Sequence, residues 1–211
     1  MGREGRKTGS NLGVVFSSSS FPSVLSGRDS AVEGEFVSDL LKAGAIEPTS
    51  SLLFQGPLFS VPKKNTSKRR VILDLSTLNR SITCPTFKMT SLQDVRLVLS
   101  PGSFAASIDL KDAYWHIPVL PHFRKYLGFK LNNTKYRFRA MPFGLNVAPR
   151  IFTKMCRPIL KELRAKGVQV MSYIDDLLVW GNSEEECIWA LNVTIDILVK
   201  RGFLINWENP T

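Results

Sequence analysis

The stretch VMSYIDDLLVW constrains this chain more than any other, because Asp175 and Asp176 stand side by side in one of its most apolar segments. Adjacent carboxylates repel, and burying a charge costs several kcal/mol unless something compensates it. The flanking runs VQVMSYI and LLVWG are short and apolar, so they predict two strands meeting at the acidic pair. A solvated turn is the plain reading of such a pair. Two-residue turns, however, favour Asn-Gly or Asp-Gly, and no glycine follows until Gly181. A hard-cation site is the other reading, since Mg2+ takes one or two carboxylates together with substrate phosphates. The pair alone leaves both open.

A third acid, Asp109, closes the run FAASIDL, which predicts a strand, and precedes KDAYWHI, a helical or turn-like stretch. By itself Asp109 is also a good N-cap for that stretch. Pairing of its strand with the 175–176 hairpin would gather all three acids. Two divalent ions about 3.5–4 Å apart could then clamp the attacking and leaving oxygens of an in-line displacement.

The remaining chain supplies hairpins and helices around these acids. Residues 1 to about 30 are rich in Ser and Gly without periodic hydrophobicity, which predicts a disordered or loosely attached segment. EGEFVSDLLKAGAIEP carries Phe36, Leu40 and Leu41 at helical spacing and stops at Gly44. PLFSVPKKNTSKRRVILDL predicts a hairpin with a strongly basic turn, and Thr90 with Gln93 predicts a capping box for SLQDVRLVL. YLGFKL and TKYRFRA flank Asn132-Asn133 as a second hairpin. A long helix is expected from Ala148 to Lys166, kinked at Pro158 and ended by Gly167. Ser183 and Glu186 cap a last helix whose apolar face is read as Ile188, Leu191, Ile195 and Leu198, closed by Gly202 and followed by a strand, FLINW. Antiparallel hairpins with helices between them make an α+β class.

The charge bounds the partners. Among 211 residues, 28 are Lys or Arg and 18 are Asp or Glu, a net charge of +10, which is the electrostatic footprint expected for a polyanion. Cys84, Cys156 and Cys187 are widely spaced, with no C-x-x-C, which argues for a reducing compartment and against structural zinc or disulfides. His116 and His122 are too few for a histidine-based metal site. No run approaches the roughly 18 apolar residues of a membrane span, and MGREGRKTGS lacks a secretory signal, so an intracellular place is expected, cytoplasm and nucleus both remaining open.

With the three acids in place, the chain resembles reverse transcriptases. IDLKDAY, MPFGLNVAP and YIDDLLV match that family's catalytic motifs in order, VPKKNTSKRRVILDLSTLN looks like its fingers hairpin, and LVKRGFLINWEN like the segment after the catalytic hairpin. The resemblance covers roughly residues 35 to 209. Among relatives the wording is most similar to retrotransposon enzymes of the DIRS type, with gypsy-type elements next. What it implies is an α+β right-hand polymerase fold: a palm of antiparallel sheet backed by helices, roughly 101–117 and 141–211, and fingers, roughly 31–100 and 118–140. The primer-grip strand, the thumb and any ribonuclease H domain are expected beyond residue 211.

The resemblance also implies roles. Asp109, Asp175 and Asp176 would carry two Mg2+ ions, for which Mn2+ substitutes, with the Leu110 carbonyl as a further ligand. Tyr114 matches the steric gate that leaves no room for a 2′-hydroxyl, although core packing is the usual reading of an isolated Tyr. Lys63 and Arg70 match the cations on the triphosphate, while Lys64, Lys68 and Arg69 are left as surface or template-backbone charges. Phe143 and Gly144 would border the nucleotide, and Tyr173 and Pro142 the primer and template. The implied reaction is RNA-directed DNA synthesis from deoxynucleoside triphosphates on a primed RNA or DNA template, within a retrotransposon polyprotein. The alternative is a weak or degenerate fragment that only binds nucleic acid.

Overall fold

The computed structural model describes residues 30–62, 69–173 and 176–207. The loosely attached segment expected before residue 30, the basic turn with Lys63, Lys64 and Lys68, the pair Ile174-Asp175 and residues 208–211 lie outside that range. The chain opens with helix α1 (Ser30–Lys42) and the short strands β1 (Ile46–Pro48) and β2 (Gln55–Gly56). Strands β3 (Leu58–Pro62) and β4 (Arg69–Leu73) form the expected basic hairpin, pairing antiparallel from Leu58↔Leu73 to Pro62↔Arg69. Helices α2 (Ser76–Arg80) and α3 (Leu92–Val98) lead to strand β5 (Phe104–Asp109) and a 3-10 turn, Ala113–His116. Helix α4 (Pro121–Arg124) precedes the second hairpin, β6 (Gly128–Leu131) and β7 (Thr134–Phe138). Helix α5 (Ala148–Ala165), strands β8 (Gln169–Tyr173) and β9 (Asp176–Gly181), and helix α6 (Glu184–Lys200) complete the order.

These elements build three sheets over one continuous apolar core. One has the order β1-β7-β6-β2, with only the β2–β6 pairing parallel, and a second is the β3–β4 hairpin. The third has the order β5-β9-β8, antiparallel throughout, with α5 packed on β8 and α6 on β9 and β5. Alternation decides which face of this sheet meets the helices: Val170 in β8 and Leu177 and Val179 in β9 are all at most 2% exposed. Each such side chain removed from water stabilises the fold by about 1.5–3 kcal/mol. Strand β9 runs so close to α6 that a Cβ at Gly181 would fall 2.7 Å from the Cys187 nitrogen, so only glycine fits there. Among the described residues no helix is long and apolar enough to cross a membrane.

Several local expectations are corrected. Helix α3 is capped one residue later than read: Ser91 accepts from the Asp94 nitrogen and Asp94 accepts from the Ser91 nitrogen, a box that Thr90 and Gln93 do not make. A charged carboxylate in the first turn also answers the positive helix end better than an amide does. In α1 the buried residues are Glu33, Val37 and Leu40, while Leu41 is 40% exposed. In α6 the inward face is Cys187, Ala190, Thr194, Ile197 and Leu198, and Ile188 is half exposed. Small residues face the sheet because β9 lies so near, and a hydrophobic stripe cannot reveal that. FLINW forms a single bridge, Leu110↔Ile205, in place of a strand of its own. The long helix expected from Ala148 is present as α5, with the exposed Pro158 inside it.

Candidate active site

Strand register brings Asp109 directly opposite Asp176 at the end of the β5–β9 ladder. The backbone of Asp109 is turned the other way, its carbonyl accepting from the Asn206 nitrogen at 2.9 Å. The Asp109–Asp176 pair is therefore of the non-hydrogen-bonded kind, whose Cα atoms lie about 4.5 Å apart with side chains close on one face. Tyr173 pairs with Asp176 from the other side. Asp175, the third expected acid, lies outside the described residues, and among these no cluster of three acidic, His or Cys side chains forms.

Leu110 follows in the same strand. Lys111 donates to the Leu204 carbonyl at 2.9 Å, and with the Asn206 bond this makes Leu110↔Ile205 a non-hydrogen-bonded pair. The Leu110 carbonyl thus points away from residue 205, toward the side of the strand on which β9 and Asp176 lie. Two opposed carboxylates and one carbonyl at a strand end are an all-oxygen donor set, the kind a hard divalent cation takes. The residues present fit such an ion.

An aromatic cluster follows Asp109 in the chain. The 3-10 turn after Asp109 carries Tyr114, 6% exposed, against Phe143 at 4.8 Å between ring centroids and Phe152 at 5.7 Å. Phe143 itself is 45% exposed, so Tyr114 is packed inside the cluster and Phe143 is its open edge. Gly144, next to it, has φ +89°, a backbone that L side chains rarely adopt, while a Cβ would meet only the Leu73 carbonyl at 3.5 Å. The glycine is thus required by the turn and not by crowding. Pro142 is fully buried, which places its ring inside the protein.

The basic hairpin separates its two arginines. Arg69 donates from Nε to Ser60 Oγ and from Nη2 to the Ser60 carbonyl, both at 2.9 Å, so it clamps the hairpin where a surface or template-backbone charge is expected. Arg70, on the opposite face of β4, is exposed and makes no hydrogen bond or ion pair with the described residues. Lys63, its expected companion, lies outside the described residues.

Three residues escaped the sequence reading. Asn206 donates its side-chain amide to Asp109 Oδ2 at 2.7 Å. Asn79, in α2, donates to the Gly144 carbonyl at 2.8 Å and accepts from the Asn146 nitrogen at 2.9 Å, so it holds the loop that presents Phe143. Asp112 stands at φ +52°, in the left-handed region, and burial pushes its carboxyl above the ordinary value. Asn in LDLSTLN or FLINW has no periodic signal; only long-range pairing shows its task.

With this geometry the comparisons agree. Residues 61–208 match the model of the family described as reverse transcriptase (RNA-dependent DNA polymerase). The Pol polyprotein of the Drosophila melanogaster transposon gypsy is 28% identical over 82% of the chain, that of transposon opus 30% over 82%, and the Pol polyprotein of equine infectious anemia virus 28% over 80%. The chain spans only 16 to 17% of the length of these three relatives. Of the two retrotransposon groups expected, the gypsy type is thus matched. The protease-reverse transcriptase of prototype foamy virus shares the fold at TM-score 0.72 and 23% identity, over 82% of this chain and 23% of that one. A foamy viral protease-reverse transcriptase in complex with RNA/DNA hybrid does so at TM-score 0.75 and 19% identity, over 88% and 24%. The fold is accordingly the α+β palm with fingers, and the chain belongs to the reverse transcriptase (RNA-dependent DNA polymerase) family.

Proposed function

We propose that this chain is the polymerase region of a retroelement polyprotein and adds deoxynucleotides to a primer 3′-end on a nucleic-acid template. The observation that carries this reading is the opposition of Asp109 and Asp176 across β5 and β9, followed in the chain by the turn that carries Tyr114, in a chain of this family. Asp109, Asp175, Asp176 and the Leu110 carbonyl would hold two divalent ions, Mg2+ or Mn2+. Bound there, such ions supply charge neutralisation to the attacking and leaving oxygens of an in-line phosphoryl transfer.

The chain's own residues do the positioning, which is most of what phosphoryl transfer asks of a protein. Tyr114 and Phe143 border the sugar and exclude a 2′-hydroxyl. Arg70, with Lys63, engages the triphosphate, the guanidinium as a planar fork. Gly144 and the buried Pro142 shape the loop beside the nucleotide, and Tyr173, next to the hairpin turn, abuts the primer end. The division into fingers at 31–100 and 118–140 and palm at 101–117 and 141–211 is part of the same proposal. A template–primer partner is supported by the +10 charge and by related foamy viral enzymes bound to dsDNA and to RNA/DNA hybrid. Such binding is sequence-tolerant and weakens steeply with salt.

Primer extension with Mg2+, on RNA and DNA templates and with both nucleotide types, tests the reading. Extension by the unmodified chain, abolished in Asp109→Asn and Asp175→Asn of unchanged melting temperature, is expected. Near-normal extension by either variant would refute the assignment of the acids.

A further inference from the structure

We propose that Asn206 is a positioning residue for Asp109, and that the segment 203–206 is a strap held in place by His116 for this purpose. The inference rests on the polymerase reading and adds to it a residue outside the three acids. Asp109 lies in the middle of a row: Asp176 opposes it from β9, and Asn206 opposes it from the strap. The strap grips Asp109 twice, the Asn206 nitrogen on its carbonyl at 2.9 Å and the Asn206 amide on Oδ2 at 2.7 Å.

The second bond matters because the terminal torsion of an aspartate is broad and nearly two-fold. Left alone beside Asp176, the carboxylate would turn away from its like-charged neighbour. A neutral amide donor holds one oxygen on the strap side, so that the other is committed to the side of Asp176 without adding a charge to compete with a cation. A lysine in this place would neutralise the acid, and an aspartate would repel it.

The strap in turn is latched. The Leu204 nitrogen donates to His116 Nε2 at 3.1 Å, while Nδ1 lies 3.2 Å from the Ala113 carbonyl. Since Nε2 accepts, the proton sits on Nδ1 and donates to Ala113, the tautomer that serves both partners. The ring also stacks on Phe203, with centroids 5.0 Å apart and planes 20° apart. His116 belongs to the same 3-10 turn as Tyr114, so one turn anchors both the aromatic cluster and the strap.

The probe is Mn2+ binding to the nucleotide-free protein, followed by loss of the free-ion paramagnetic resonance signal, together with melting temperature and the Mg2+ dependence of primer extension. Removing a hydrogen bond to a charged group should weaken Mn2+ binding in Asn206→Ala by about tenfold. Half-maximal extension should need correspondingly more Mg2+. Asn206→Gln, which keeps an amide donor, should recover part of the loss. Asn206→Leu keeps the volume, so it decides the question if the alanine variant does not fold. Mn2+ affinity within twofold of the unmodified protein in folded Asn206→Leu would overturn the role of Asn206 while leaving the polymerase reading standing. An unmodified chain that neither binds Mn2+ nor extends a primer would overturn both.

Discussion

The Tyr114 and Phe143 rings meet at 4.8 Å between centroids, inclined at 55°, although they come from separate loops, one after β5 and one after β7. The wall of the proposed nucleotide site is therefore a tertiary product, with Phe152 of α5 closing it from behind at 83°. Tyr114→Ala should admit ribonucleotides, lowering discrimination by roughly tenfold or more, a size that pocket shape alone supplies. Tyr114→Phe should leave it intact. Competition between deoxy- and ribonucleotides in primer extension measures this, and unchanged sugar preference in the alanine variant would remove Tyr114 from the wall.

Asn79 ties α2 to the Gly144–Asn146 loop through three bonds, the last from Asn146 Nδ2 to its own carbonyl at 3.1 Å. In Asn79→Ala the Gly144 carbonyl and Asn146 nitrogen lose their partner, at about 1–3 kcal/mol. Thermal unfolding should show the loss, and KM for the nucleotide should rise because Phe143 is no longer held. A melting temperature equal to that of the unmodified protein would show the clamp to be idle.

The neighbouring arginines of β4 should part company under mutation. Arg70→Ala removes an exposed cation, so stability should hold while KM for the triphosphate rises about tenfold or more, the worth of a charge-assisted bond to phosphate. Arg69→Ala breaks both bonds to Ser60 and should do the reverse, destabilising the hairpin with a smaller effect on KM. Steady-state kinetics and denaturant melts on the two variants check this; the opposite pattern would exchange their roles.

Glu47 joins β1 to β7 by accepting from Arg137 Nε at 2.7 Å, with Arg124 at 3.5 Å and Arg139 at 3.7 Å. Burial pushes its carboxyl up, but bonds and charges from Arg137 and Arg124 outweigh this and hold it below the ordinary 4.5. A depressed folded value means stabilisation that is present above the ordinary carboxylate range and lost as the pH falls through the folded value. Glu47→Gln should thus cost about 1 kcal/mol at pH 7, the scale of a partly exposed pair. The two proteins should converge in urea melts well below pH 4.5. A difference independent of pH would mean that packing, and not charge, is lost.

What the sequence alone determined is what repeats locally. The strands β8 and β9 and both hairpins follow from apolar runs, turn residues and alternation, and the glycine stops at 44, 167 and 202 all fall at positive φ. The acids of IDLKDAY and YIDDLLV were legible because charge inside an apolar strand demands a reason. Tertiary structure decided what depends on distance between elements. The inward face of α6 turned on how near β9 approaches, which selects Ala190 and Thr194 over Ile188. The task of Arg69 turned on which face of β4 meets Ser60. Asn206 and Asp109, 97 residues apart, became neighbours only through strand register, since a polar side chain announces that it needs a partner but never which one.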